Sequence, residues 1–566
     1  MRRLSLRIVH FISAFASALA LQSPLHATPD EAFSSPPPYR IAIIGAGAAG
    51  ASASYHLRKF SEDDQVPLNI TIFDRNPYIG GRSTTVDAYS DPSQPVELGA
   101  SIYVSVNKIL VDAVNEFNLS HIDPEFTVAD GNTPGLGFWN GKEFVYMVQG
   151  DGYWDLVKLA WHYGWFSPFR THQLMKDMVG RFLQLYDEPF FPWGSLSEAV
   201  YEIGLTDITG ISGEEYLKAK GVSDKFAREF VQGATRVNYA QNLANIHGVE
   251  AMVCMATDGA MSVKGGNWQI FANMIGTSAK QHLLSTEVRT IERQQDGTFT
   301  VGAKMGCCNT EADHPGESAT SGVFDVIILA TPYQFSSIDF TPPIQFTPET
   351  VPYVNLHVTL FTSPHRLSPS AFNLPPDQLV PNAVLTTLPE NEDSAPGNAS
   401  QAGSPGFFSI STLRQVTNPS QPDRTEYLYK IFSPTSINAT FLARILGLKE
   451  PSPITGPFPV YESGTIWDLP KDSVTWIHRK SWQSYPYEFP RTKFEKLRLD
   501  DGIWYTAGIE GFISTMETSA LSGMNVARLI VDELVRRRDD GSGDPTMEEK
   551  NEYRGKSLAD GEQQEL

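Results

Sequence analysis

An α/β fold is predicted by three stretches of this chain. Residues 41–44 are apolar and mostly β-branched, and Gly45, Gly47 and Gly50 follow at the spacing of a G-x-G-x-x-G turn. An alanine-rich run, 48–57, continues from that turn with helical composition. Residues 70–73 read as a second short strand, ending at Asp74. Strand, glycine turn, helix and a second strand ending in an acid make a β-α-β unit that binds a dinucleotide. Gly45 permits the tight turn, Gly47 lets backbone approach a pyrophosphate, and Gly50 lets helix pack close to strand. The helix start, at Ala48 and Ala49, offers N–H groups and roughly half a positive charge to phosphates. Asp74, with Arg75 beside it, is placed to hold ribose hydroxyls.

The residues after Asp74 narrow the dinucleotide. Gly80, Gly81 and Arg82 follow a short polar link, and Ser83, Thr84 and Thr85 come next. This arrangement resembles the FAD-dependent amine oxidase and desaturase superfamily, in which Glu usually stands where this chain has Asp74. The resemblance implies a Rossmann-like FAD-binding domain of the two-domain type, with an inserted α+β substrate domain. It implies that Gly80, Gly81 and Arg82 lie along the FAD pyrophosphate, and that Gly99, Ala100 and Ser101 pass beside the flavin ring. Val288 would contact the adenine through its backbone. Gly508 and Glu510 would face the pyrophosphate and ribityl. The helix start at Met516 and Glu517 would point at the flavin N1–C2=O region, where negative charge grows on reduction.

The 566 residues, 41% hydrophobic, can bury a large core in two or three domains. A net charge of -21 excludes a nucleic-acid binder, which needs clustered Lys and Arg. Three cysteines make no disulfide framework and show no metal-ligand spacing, so no metal is expected and Cys254 reads as a small buried residue. Residues 1–27 read as a signal peptide, basic first and then apolar. The alternative is a single-pass anchor, for which the apolar run is short. Glycosylation sequons stand at Asn69, Asn118, Asn398 and Asn438, the last two in stretches expected to be exposed loop. Signal peptide and sequons together predict the secretory pathway, ending in a vacuole or lysosome or outside the cell.

Residues 28–38 read as a Pro-rich linker, and 539–566 as a disordered charged tail. Between them the FAD-binding domain is expected in three parts, 39–150, 246–332 and 501–538. A helical substrate region, 151–245, and a strand-rich substrate sheet, 333–500, interrupt it. In the first part a helix is expected over 106–117. The second part opens its helix at Gly265, Gly266 and Asn267, with Ile270, Met274 and Ile275 inward, and carries strands at 287–291 and 325–330. Residues 354–361 are the clearest strand of the substrate sheet, and a last helix runs over 516–536. In the helical region Leu174, Met178, Phe182 and Leu185 share one face, and 213–232 reads as a further helical pair. Trp154, Trp161 and Trp165 also recur at helical spacing. That stripe packs in the core, or walls a channel for a greasy ligand, or gives the channel mouth a peripheral membrane contact.

Several segments resemble one family more narrowly, the prenylcysteine oxidases, also called prenylcysteine lyases. They are RVNYAQ at 236–241, MATDGAMSVKGGN at 255–267, YKIFS at 429–433, GIE at 508–510 and STMETSA at 514–520. WHYGW at 161–165 and GASIYVSVNK at 99–108 look similar too, and the likeness runs from about residue 40 to 534. It implies an FAD-dependent thioether oxidase that takes S-farnesyl- or S-geranylgeranyl-cysteine and oxygen. The products would be free cysteine, a prenyl aldehyde and hydrogen peroxide. No nucleophile triad is visible, and His247, His357 and His478 are the candidates for activating water. Two alternatives stay open: an oxidase or desaturase of the same fold acting on an amine or polyene, and a secreted flavoprotein relative without turnover.

Overall fold

The computed structural model describes residues 37–122, 133–148, 153–306, 319–392, 402–450, 468–470 and 472–539. The expected signal peptide, most of the linker, Asn398 and nearly all of the expected tail lie outside these residues, as does the side chain of Trp154.

A six-stranded sheet carries the nucleotide unit. Its strands run in the order Arg498–Asp500, Ile503–Tyr505, Val326–Leu329, Tyr39–Ile44, Leu68–Phe73 and Gln281–Leu283. All neighbours are parallel except the first pair, with Ile41 beside both Ile70 and Val326, and Ile327 beside Ile503. Its central strands are buried on both faces, which explains their continuous apolar runs. The first helix, Ala48–Asp63, packs on the last, Met516–Asp539. A Cβ at Gly523 would stand 2.2 Å from the Ala49 carbonyl oxygen, so this crossing needs a glycine and small residues. The helix Trp268–Ser278 lies against the first helix as well, with Ile270, Met274 and Ile275 fully buried as expected.

A second sheet has four strands, Ala319–Phe324, Phe299–Met305, Thr286–Arg293 and Asp339–Thr341. The third has seven, in the order Trp476–Pro486, Tyr353–Ser363, Thr425–Ser433, Ser409–Thr417, Ala383–Thr386, Leu136–Trp139 and Phe144–Val148. The last two fall in the stretch expected to belong to the nucleotide unit, and they pair instead at the edge of this sheet. Arg498–Asp500, expected with the substrate sheet, joins the nucleotide sheet. Strand periodicity shows that a segment is extended, and only pairing decides which sheet it enters.

Between Tyr153 and Val253 the chain is helical. Leu174, Met178, Phe182 and Leu185 are buried as their spacing predicts, and so is Cys254. The tryptophan stripe does not exist as one face. One helix, Tyr153–Tyr163, stops before Gly164, whose φ is +75°, and Trp165 precedes the next, Phe166–Phe182. Trp161 and Trp165 are both exposed, so neither packs in the core.

Candidate active site

A cleft of about 950 Å³ lies between the nucleotide sheet and the seven-stranded sheet. Its first wall is main chain. Gly45, at φ +116°, turns the chain off the first strand, and an added Cβ would stand 2.6 Å from the Ala330 carbonyl oxygen. A Cβ at Gly50 would come within 1.9 Å of the Gly45 oxygen, which is the close helix–strand packing its spacing predicts. Gly47 differs: an added Cβ meets only Gly80 O and Gly81 Cα, both at 3.9 Å, and would stand in the cleft itself. Gly80, at φ +116°, brings the second glycine turn against the first through a bridge to Gly47. Asp74 accepts from the Ala46 N–H at 2.8 Å and the Asn76 N–H at 2.7 Å. Burial pushes its carboxyl up, against the lowering effect of those donors. Glycine cradle, helix start and terminal acid fit a dinucleotide cofactor.

Ala48, Ala49, Arg75, Gly81, Gly99, Ala100, Ser101, Val288 and Met516 also line the cleft. Arg82 and Glu510 line it too, but they meet each other. The guanidinium donates to both Glu510 oxygens, at 2.5 and 2.9 Å, and to the Ser484 carbonyl at 2.8 Å. Tyr353 donates to the same carboxylate at 3.1 Å. A bidentate pair of this kind neutralises Arg82 and occupies its donors.

Three expected cofactor residues do not face the cleft. Gly50 is spent on packing, as above. Gly508 lies on the other side of its turn, where a Cβ would meet the Glu495 side chain at 2.7 Å. Glu517 is buried and caps the helix Lys108–Glu116, accepting from the Ile109 and Leu110 N–H groups at 2.9 and 3.1 Å and from the Tyr186 hydroxyl at 2.8 Å. Burial raises its carboxyl to about 7. An acid in the first turn of one helix looks the same in sequence whether it faces a ligand or the start of another helix.

The second wall is made of side chains, among them Leu356, Leu413, Lys430, Phe432 and Trp482 of the seven-stranded sheet. Lys430, buried, donates to the Glu97 carbonyl and to Ser101 Oγ, each at 2.8 Å, and so pins the 97–101 segment from across the cleft. Asn267 holds the other side of that segment: its N–H donates to Glu97 Oε1 at 2.6 Å and its Nδ2 to the Ala100 carbonyl at 2.8 Å. The Trp482 ring packs against Gly99, where a Cβ would leave only 3.1 Å. The sequence reading missed Lys430 and Trp482. Lys430 falls inside the YKIFS segment, and nothing local marks Trp482.

None of the three candidate histidines lines the cleft. His357 and His478 lie on strands of the seven-stranded sheet. His247 is fully buried and caps the helix Gly248–Val253, its Nδ1 accepting from the Glu250 N–H at 3.1 Å. Burial first, then the charge of Arg491, takes it down to about 3, so it is no base at neutral pH. Its Nε2 lies 3.8 Å from Glu488, also fully buried. Burial raises Glu250 to about 8, and Glu488 well above the usual carboxylate range. Glu250 accepts from the Ser514 N–H at 3.4 Å, and Ser514 and Tyr239 line the cleft, so this uncharged cluster backs its wall. Within RVNYAQ, Arg236 is buried and donates to Thr386, Asn242 and the Ala402 carbonyl, while Gln241 bonds the backbone of Pro486 and Glu488. That segment braces the cleft, and its Tyr239 lines it.

Residues 148–542 match the family described as prenylcysteine lyase. The chain belongs to the prenylcysteine lyase family. Residues 43–117 match an NAD(P)-binding Rossmann-like domain, the stretch that carries the glycine cradle. Prenylcysteine oxidase 1 of Homo sapiens is 29% identical over 507 residues, covering 87% of this chain and 89% of its own. Farnesylcysteine lyase of Arabidopsis thaliana is 27% identical, covering 90% and 91%. Among solved structures, cyclohexylamine oxidase from Brevibacterium oxydans superposes with a TM-score of 0.51 at 14% identity, covering 88% of this chain and all of its own. A redesigned putrescine oxidase gives the same TM-score and identity. These two share the fold.

Proposed function

We propose that this protein is an FAD-dependent oxidase that cleaves the thioether of S-prenylcysteine, using oxygen and releasing cysteine, a prenyl aldehyde and hydrogen peroxide. The observation that carries the proposal is the family match over 148–542, which includes the side-chain wall of the cleft. The names of the human and Arabidopsis relatives carry this substrate class.

Bound FAD would supply the hydride acceptor and the route for electrons to oxygen. The protein's own part is to hold and orient. The glycine turns and the first helix would seat the pyrophosphate, and Asp74 the ribose. Lys430, Asn267 and Trp482 fix the 97–101 segment, which would pass beside the flavin ring. Leu356, Leu413 and Phe432 give a prenyl tail apolar surface, with roughly 0.8 kcal/mol gained for each CH₂ buried. Hydride loss next to sulfur leaves a thiocarbenium, which water converts to a hemithioacetal that separates into thiol and aldehyde. This sequence needs no strong base, and among the described residues no histidine lines the cleft.

The amino-terminal pattern and the sequons support a place in the secretory pathway, in a vacuole or lysosome or outside the cell. Of the described sequons, Asn118 is exposed, while Asn438 is half-buried and caps the helix Ala439–Ile445. The Asn438 cap uses Oδ1, which a glycan on Nδ2 leaves in place. Aerobic turnover of S-farnesylcysteine tests the activity. Cysteine, farnesal and peroxide in equal amounts support it, and peroxide without free thiol rejects thioether cleavage.

A further inference from the structure

The turn between the helices Tyr153–Tyr163 and Phe166–Phe182 carries apolar surface that the protein leaves in water. Trp161 is 87% exposed, Trp165 68%, and Phe166 and Phe169 61% each. These four come from nine consecutive residues, whereas the other large exposed apolar side chains among the described residues are scattered. A cluster of this size on a soluble surface marks something that covers it. The turn is also held in place. Tyr163 packs edge-on to Phe226 at 5.2 Å, and Ser167 bonds Ser223 at 3.1 Å, so the backbone between them is anchored while the four rings point outward.

The charge around the rings says what the partner is. From 155 to 177 the chain has Lys158, Arg170 and Lys176 against Asp155 and Asp177, in a protein of net charge -21. Phe166 lies beside Gly221, in a loop flanked by Lys218, Lys220 and Lys225. Among the acids nearby, Asp177 pairs with Arg181, Glu229 meets His162, and Glu215 closes a capping box with Ser212. Asp224 sits in the first turn of its own helix. Tryptophan and phenylalanine flanked by lysine and arginine form the pattern that seats a protein on an anionic lipid surface. No helix among the described residues is long and apolar enough to cross a membrane, so this contact lies on the surface.

We infer that the turn around Trp161, Trp165, Phe166 and Phe169 docks the folded protein on an anionic membrane surface. The inference holds whatever the substrate, and it is read without turnover. The test is co-sedimentation of the full flavin-loaded protein with phosphatidylcholine vesicles, with and without about one third phosphatidylserine. Wild type should bind the anionic vesicles, lose most binding at high salt, and bind neutral vesicles at least tenfold more weakly. Trp161→Ser with Trp165→Ser should lose roughly tenfold or more, while melting temperature and flavin content stay unchanged, because both rings are exposed. No binding by wild type, equal binding to both vesicles, or unaltered binding by the double variant overturns it. So does a change of oligomeric state on mutation, which would make the patch a protein–protein contact.

Discussion

The two walls of the cleft work by different means. The nucleotide wall is main chain at Gly45, Gly47 and Gly80, where a Cβ either strikes a carbonyl or enters the cleft. The opposite wall is side chain, with Lys430, Phe432 and Trp482 projecting from strands of one sheet. A main-chain wall fixes one ligand shape and tolerates little change. A side-chain wall can be re-lined without disturbing the other.

If this contrast holds, substitutions on the two walls should fail differently. Gly50→Ala should have the largest effect. Its Cβ falls 1.9 Å from a backbone oxygen, so the loss of stability should be roughly 3 kcal/mol or more, seen by chemical denaturation with and without cofactor. Gly47→Val should spare the fold and abolish the yellow colour of the purified protein, since nothing in the protein opposes the new side chain. A yellow Gly47→Val variant would remove the cradle from the account. On the other wall, Lys430→Met should keep its flavin but lose kcat/KM by roughly 10–100-fold, as the 97–101 segment loses two anchors. Loss of flavin with the fold intact would show that the walls are not separable.

The smallest effect concerns the buried cluster behind the wall. Glu250, raised to about 8, contributes stability that is complete below about 4.5 and is lost as pH rises through 8. His247, lowered to about 3, contributes stability present above its ordinary value of 6.5 and lost as pH falls through 3. The two trends offset each other between about 4.5 and 6.5, but Glu488, also raised, adds its own loss with rising pH, so the cluster's contribution should peak near 4.5 and decline on both sides. Glu250→Gln should flatten the alkaline decline, by about 2 kcal/mol at most between pH 6.5 and 8. Thermal melts across that range check it, and an unchanged slope would assign the decline to other groups.

The same contrast decides what the sequence could show. Gly45, Gly47, Gly50 and Asp74 fall within one β-α-β unit, so local spacing reports their geometry. Lys430 and Trp482 reach the 97–101 segment from strands more than three hundred residues away, and only sheet pairing brings them there. Glu517 and the tryptophans misled for a related reason. A helical position states a face, and whether that face meets a ligand, another helix or water is decided by its neighbours.

The central claim is that this cleft oxidises a prenyl thioether. The direct test is the visible flavin absorbance of the purified protein on anaerobic mixing with S-farnesylcysteine. The account predicts bleaching by one equivalent, with free cysteine and aldehyde formed in the same amount. Flavin that stays oxidised with the thioether but bleaches with an alkylamine would contradict it.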